Sequence, residues 1–248
     1  MTTLFLSDVH LDVRPVGQDR TADFVSFLRR IDTHRVDRLV ILGDLFDFWF
    51  EYQHVVFSGY FDVLRGLADL RDAGVALDLV CGNHDFWAGR FLIQQLAFHV
   101  HRDGVRLDLG GRRVLALHGD GLNPKDWGYR LYKRIARAPL VVSAFRVLHP
   151  DWAMALAQRV SRTSRVITRA DDLSMSAETQ ALRAFARQTL AQGDADVVVC
   201  GHSHYPLYEE YPTPSGTGLY INTGDWFLHR SHVEYDGTEF RLHRRDAG

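Results

Sequence analysis

At 248 residues, 46% of them hydrophobic and 24% charged, with a formal net charge of only -2, the chain can bury a sizeable core as one large domain. No segment approaches the ~20 apolar residues of a membrane span; Pro139 to Val147 is apolar but short and interrupted by Arg146. Met1-Thr2-Thr3 leads straight into an apolar run without a secretory signal, and Cys81 and Cys200 each end an apolar run as small buried hydrophobes do. A cytoplasmic protein without disulfides is expected.

In chain order, Thr3 to Leu6 is a buried strand that stops at Ser7-Asp8-Val9-His10. Thr21 to Thr33 carries Phe24, Phe27, Leu28 and Ile31 at helical spacing, and Asp37 to Leu42 is the next strand, ending at Gly43-Asp44-Leu45-Phe46-Asp47. Tyr60 to Ala73 is again helical, with Gly74 as its stop, and Val75 to Cys81 is a strand running into Gly82-Asn83-His84-Asp85. This alternation predicts a parallel sheet with helices packed on it. Phe91 to Ala97 is a short helix, and Val105 to Leu109 with Arg112 to Leu117 is a hairpin about Gly110-Gly111, followed by His118-Gly119-Asp120.

From Tyr129 to about Ile167 no strand is evident; apolar residues from Leu131 to Val160 mark helices with ends near Pro139 and Pro150. Residues 121–170 hold ten basic side chains against two acids, Asp126 and Asp151, which leaves about -10 on the rest of the chain. Such a stretch is either a solvated helical face or a surface that meets an anion. Ala177 to Ala191 is a regular helix, and Asp196 to Cys200 a buried strand ending at Gly201-His202-Ser203-His204. Strands over Tyr205 to Tyr211, Gly218 to Asn222, Ser231 to Tyr235 and Glu239 to His243 complete the chain.

Five strands therefore deliver Asp, Asn and His to one end of the sheet structure. A carboxylate has two oxygens and can bridge two cations, while imidazoles and an amide oxygen complete each coordination shell. Oxygen and nitrogen donors without thiolate favour a labile catalytic metal pair over closed structural zinc.

The ordered set Asp8-x-His10, Gly43-Asp44, Gly82-Asn83-His84-Asp85, His118 and Gly201-His202-Ser203-His204 resembles the calcineurin-like metallophosphoesterase superfamily over nearly the whole chain. The resemblance implies an α/β fold, a four-layered α/β/β/α sandwich, with a helical cap inserted at about 123–170 in a single domain. It also implies that Asp8, His10 and His204 hold one metal, Asn83, His118 and His202 the other, and that Asp44 bridges them, with manganese as the expected pair. His84 would protonate the leaving oxygen or stabilise the charge on it. Asp47 is its expected partner, a carboxylate that would fix the imidazole's tautomer and raise its pKa.

Gly43 to Asp47, the run His118 to Leu122 and Asp126-x-Gly128-Tyr129 look like the UDP-2,3-diacylglucosamine pyrophosphohydrolases of lipid A synthesis. That branch cleaves a nucleotide-sugar lipid to UMP and the acylated sugar 1-phosphate, lipid X, beneath its cap. The resemblance points to Asp126, Tyr129, Arg159, Ser161, Arg162, Ser164 and Arg165 as substrate contacts, and the segregation of basic charge on the cap suggests peripheral contact with the cytoplasmic face of the inner membrane. The best-known branch has arginine in place of His84 and glutamate in place of Asp47. A nuclease of the same superfamily would use the same metals and treat the basic stretch as a nucleic-acid track. A non-catalytic scaffold would be expected to have lost ligands, and every ligand position is filled.

Overall fold

A computed structural model describes residues 1–13, 18–156, 174, 176–214, 216–226 and 228–244. Its first sheet has the order β11-β10-β1-β2-β3-β4, from β1 (Thr2–Leu6), β2 (Val36–Ile41), β3 (Ala76–Val80), β4 (His99–His101), β10 (His232–Tyr235) and β11 (Phe240–His243). Strands β1 to β4 run parallel, and the tail strands add antiparallel at the β1 edge. The second sheet, β5-β6-β7-β9-β8, combines the hairpin β5 (Val105–Leu109) and β6 (Arg112–Leu117) with β7 (Val197–Cys200), β8 (Leu207–Thr213) and β9 (Gly216–Asn222).

The alternation of strand side chains sorts the core into three slabs. Leu4, Leu6, Leu39 and Ile41 pack with Phe24 and Leu28 of α1 (Gln18–Arg30) and with Val63 and Leu67 of α2 (Phe61–Asp72). The intervening Phe5, Val40 and Leu42 turn to the other face and meet Val114, Ala116, Val197, Val199 and Ile221 of the second sheet. Val198, Cys200 and Tyr220 face outward again, under Leu182, Ala186 and Leu190 of a helix spanning Ala177–Ala191. Helix, sheet, sheet and helix follow in order, which is the expected four-layered sandwich.

Between β3 and β4 lies α3 (Arg90–Leu96). Between β6 and the Ala177–Ala191 helix come α4 (Trp127–Ala136), α5 (Pro139–Arg146), with Pro139 in its first turn, and helical residues 150–156. The Ala177–Ala191 helix is thus α6. Helix α5 buries none of its residues and α4 only Ala136, so the apolar periodicity of this stretch does not mark a core face. The sequence pattern also misses β4, whose three residues His-Val-His are too short and too polar to register as a strand. Both cysteines are buried and free. Among the described residues, no helix is long and apolar enough to cross a membrane.

Candidate metal centre

The parallel strands carry the chain to one edge, and the loops that follow them zip together: Asp8 N–H donates to Gly43 O (3.1 Å), His10 N–H to Asp44 O (2.9 Å) and Gly201 N–H to His118 O (3.0 Å). Asp8, His10, Asp44, His202 and His204 all take positive φ, between 49° and 68°. Left-handed backbone is uncommon outside glycine and costs of order 1–3 kcal/mol per residue when strained, so its concentration here marks a site over-determined by its surroundings. The glycines beside them are steric necessities. A Cβ on Gly82 would run into Asp44 Oδ1, one on Gly43 would lie 2.6 Å from His118 Nδ1, and one on Gly201 would lie 2.7 Å from Asp8 Oδ2.

One oxygen of each central carboxylate is committed to the backbone. Asp8 Oδ2 accepts from His202 N–H (2.8 Å) and from the Ser7 hydroxyl, and Asp44 Oδ1 accepts from His84 N–H (2.9 Å). The other oxygens face imidazoles. Asp44 Oδ2 lies 3.5 Å from His118 Nε2, 3.7 Å from His10 Nε2 and 3.9 Å from His84 Nε2. Asp8 Oδ1 lies 3.5 Å from His204 Nε2 and 3.7 Å from His10 Nε2. On the far side of Asp44, His118 Nε2 is 3.1 Å from Asn83 Oδ1 and 3.2 Å from His202 Nδ1. All seven residues expected to bind metal are therefore in one cluster.

These residues fit a pair of divalent cations. Asp8 Oδ1 and both ring nitrogens of His10 are buried without a hydrogen-bond partner, a costly state that a cation bound to Asp8 Oδ1 and to one nitrogen of neutral His10 would relieve. Three overlapping donor groups arise: Asp8, His10 and His204; His10, Asp44 and His84; Asp8, Asp44 and His118. The electrostatics of the bare site agree. Burial would raise the Asp8 and Asp44 carboxyls, but the surrounding imidazoles hold both below the usual carboxylate range. Burial would lower His10, yet the Asp47, Asp8 and Asp44 carboxylates push it up to about 10. His202, buried and next to His118, falls to about 4.

Each imidazole also faces an oxygen on its outer side, hydrogen-bonded at His118 and His84 and farther off at the other three. His118 Nδ1 meets Leu42 O (2.7 Å) and His84 Nδ1 meets Asp47 O (2.8 Å). His10 Nδ1 lies 3.6 Å from Asp47 Oδ1, His202 Nε2 3.9 Å from Glu178 Oε2 and His204 Nδ1 3.4 Å from Asp225 Oδ2. The expected pairing of His84 with the Asp47 carboxylate needs correction. The main-chain carbonyl of Asp47 takes the near position, and its carboxylate stands 3.9 Å from His84 and nearer to His10. Burial dominates at His84, so its pKa is lowered rather than raised.

Sequence reasoning overlooked several contributors. Asp85 accepts from Gly82 N–H (2.7 Å) and Leu45 N–H (3.0 Å), tying two metal loops together, and burial followed by the Asp44 charge lifts its carboxyl to about 7. Asp120, held down to about 2 because His118 and Lys133 outweigh burial, anchors α4 through Tyr129 Oη (2.5 Å) and Lys133 Nζ (2.6 Å). Tyr129, an expected substrate contact, thus spends its hydroxyl proton on Asp120. Asp126 precedes α4 without capping it by its side chain. Arg159, Ser161, Arg162, Ser164 and Arg165 lie outside the described residues.

A cavity of about 980 Å³ opens where Phe86 and Trp87 follow His84-Asp85, with Trp49, Phe50, Arg102, Arg137 and Arg146 among its lining and none of the expected metal ligands. Of the aromatic run 46–52, Trp49, Phe50 and Tyr52 line it while Phe46 is buried in the core; Phe50 and Trp87 meet edge to face at 5.1 Å, and both contact Phe145 of α5 at 4.8 Å. Trp87 Nε1 donates to Ala136 O (3.0 Å), so the loop bearing His84 also holds the end of α4.

A family model described as calcineurin-like phosphoesterase matches residues 1–206. A UDP-2,3-diacylglucosamine hydrolase of Porphyromonas gingivalis is 30% identical over 253 residues, spanning 96% of this chain and 95% of its own. Proteins of the same name from Aeromonas salmonicida (32% over 253 residues, 99% and 94% of the two chains) and Serratia proteamaculans (29% over 244 residues, 98% of each) are similarly related.

Proposed function

We propose, from the premise that this chain belongs to the calcineurin-like phosphoesterase family and is a metal-dependent hydrolase, that it cleaves the diphosphate of UDP-2,3-diacylglucosamine, giving UMP and the acylated sugar 1-phosphate. The observation that carries the metal reading is the convergence of Asp8 Oδ1, Asp44 Oδ2, Asn83 Oδ1 and four histidine nitrogens, with separations of 3.1 to 3.7 Å and buried lone pairs lacking hydrogen bonds. In this reading Asp8, His10 and His204 hold one divalent ion, Asn83, His118 and His202 the second, and Asp44 serves both; the donor chemistry suits Mn2+. When bound, such a pair supplies Lewis-acid polarisation of the phosphoryl group and an activated water.

The chain's own residues do the rest. His84 donates Nδ1–H to Asp47 O, so its Nε2 faces the centre and is the atom that passes a proton to the leaving oxygen. Burial lowers its pKa in the bare site, so Nε2 takes up the proton it passes on only when an anionic substrate lies beside it. Asp85 and the glycines keep the loops at fixed separation, which is what orientation of a phosphoryl group requires. The cavity supplies aromatic walls for acyl chains and arginines for an anionic head, in keeping with the names of the relatives.

Residues 123–170 serve, in the same proposal, as a cap on a single domain. Trp127, Leu140, Val147 and Trp152 are 70%, 85%, 87% and 72% exposed on it, interspersed with Arg130 and Arg134, a composition suited to resting on an anionic lipid surface. Co-sedimentation with phosphatidylglycerol vesicles that survives Trp127→Ala with Trp152→Ala would contradict that docking. The substrate is tested by offering manganese-loaded protein UDP-2,3-diacylglucosamine and, in parallel, single-stranded oligonucleotides. UMP release is the expected result, and oligonucleotide cleavage alone would replace this reading with that of a nuclease.

A further inference from the structure

We infer that Asp225 is a positioning residue, holding His204 in the one tautomer and orientation that leaves its Nε2 free to bind a cation. This rests on the reading of His204 as a metal ligand. Strand β9 runs beside β7 in register, Cys200 opposite Asn222, and the chain beyond is stitched to the His202 loop: Thr223 N–H donates to Cys200 O (2.8 Å) and Asn222 Nδ2 to Gly201 O (2.7 Å). Asp225 follows Gly224, whose φ of +72° lets the backbone turn back toward the site.

The two oxygens of Asp225 have different duties. Oδ1 accepts from Leu228 N–H and His229 N–H, both at 2.9 Å, and lies 3.1 Å from His229 Nδ1. Those bonds hold the carboxylate plane. Oδ2 is buried, has no hydrogen bond of its own and stands 3.4 Å from His204 Nδ1. The opposite nitrogen, Nε2, is 3.5 Å from Asp8 Oδ1. His204 therefore sits between a carboxylate that only orients it and one that shares its proposed metal. An ionised carboxylate can only accept, so it requires the proton on Nδ1 and leaves the Nε2 lone pair for the cation. The same turn steadies another of that metal's proposed ligands, because Trp226 N–H donates to Asp8 O (3.2 Å).

A residue that merely clamped the 225–229 turn would need Oδ1 alone. Asp225→Asn separates the two roles: the amide oxygen still accepts from Leu228 and His229, but an N–H now faces His204 Nδ1 and favours the tautomer with its proton on Nε2. Titration of metal-free protein with MnCl2 by calorimetry should show two bound ions in the wild type. In Asp225→Asn the affinity of one site should fall ~10- to 100-fold, the other remaining as it was, with little change in the melting temperature of the metal-free protein. In a His204→Ala background the Asp225 change should have no further effect on Mn2+ binding. Unchanged affinity at both sites in a folded Asp225→Asn protein would overturn the proposal. A wild type that binds no Mn2+ would overturn the metal-centre reading and this one with it. Should Asp225→Asn fail to fold, long-range 1H–15N spectra of the zinc-loaded wild type decide. The His204 resonances, assigned by their loss in His204→Gln, should show the proton on Nδ1; a proton on Nε2 would overturn the proposal.

Discussion

Gly82→Ala is the smallest change that should disable the centre, because it adds one methyl group and nothing else. Gly82 does not have the positive φ at which a side chain would strain the backbone, so the effect is purely steric. The new Cβ would fall 2.7 Å from Asp44 N and 2.9 Å from Asp44 Cγ, and closer still to Oδ1. Restoring an ordinary separation of about 3.5 Å displaces the carboxylate by roughly 0.6 Å at Cγ and by roughly 1.3 Å at Oδ1. A shift of that size in a reacting group costs on the order of 100-fold in rate. Overpacking a tight site costs ~1–3 kcal/mol, or a fall of roughly 3–10 °C in Tm for a chain of this length. Hydrolysis of bis-p-nitrophenyl phosphate, Mn2+ calorimetry and thermal melts read all three. Gly128→Ala is the matched comparison: nothing lies within 4 Å of its Cβ, and in the first turn of α4 alanine should be neutral or stabilising by up to ~1 kcal/mol. Wild-type rate and metal affinity in Gly82→Ala would refute the claim that this glycine exists to admit Asp44.

His84→Ala should retain both metals while losing ~100-fold or more in turnover; loss of metal occupancy would make His84 a ligand, as its proximity to His10 and Asp44 allows. His10, pushed up to about 10, carries a proton at pH 7 in the bare protein and must release it to bind metal. Mn2+ affinity should therefore rise with pH toward 10, and calorimetry in buffers of different ionisation enthalpy should show net proton release; zero release would contradict this. Away from the centre, burial and the His243 charge lower His232 to about 4, beneath its unfolded value of 6.5. The folded state then binds fewer protons than the unfolded chain between those values, so this group's contribution is full above pH 6.5 and lost as pH falls through 4. Urea midpoints should drop more steeply from pH 7 to 4.5 in the wild type than in His232→Gln, and parallel profiles would refute it.

The metal loops were legible because buried parallel strands write themselves as apolar runs, and each here stops abruptly at Asp, Asn or His. The alternation of strands and helices predicted a parallel sheet with helices packed on it, and the four layers were what the family resemblance implied. Asp225 obeys that grammar as well, since β9 ends at Asn222 and Gly224-Asp225 comes next, but the motif is shared with many turns and only the 3.4 Å approach to His204 gives it meaning. The partner of His84 was misjudged because spacing brings Asp47 near without saying whether carbonyl or carboxylate faces the ring. Periodicity in α4 and α5 identified helices correctly, yet it could not say that Leu131, Ile135 and Leu140 stand in the open. Apolar spacing reports a face, and only the surrounding chain determines whether anything covers it.

The central claim is that these loops hold metals that hydrolyse a phosphoester. Purified wild-type protein and Asp44→Ala, each with and without MnCl2, should be given UDP-2,3-diacylglucosamine and a chromogenic phosphodiester, with products resolved by mass spectrometry. Manganese-dependent release of UMP and the acylated sugar 1-phosphate by the wild type, abolished in Asp44→Ala, is the predicted result. Turnover of either compound that is indifferent to metal, or that survives in Asp44→Ala, would contradict it.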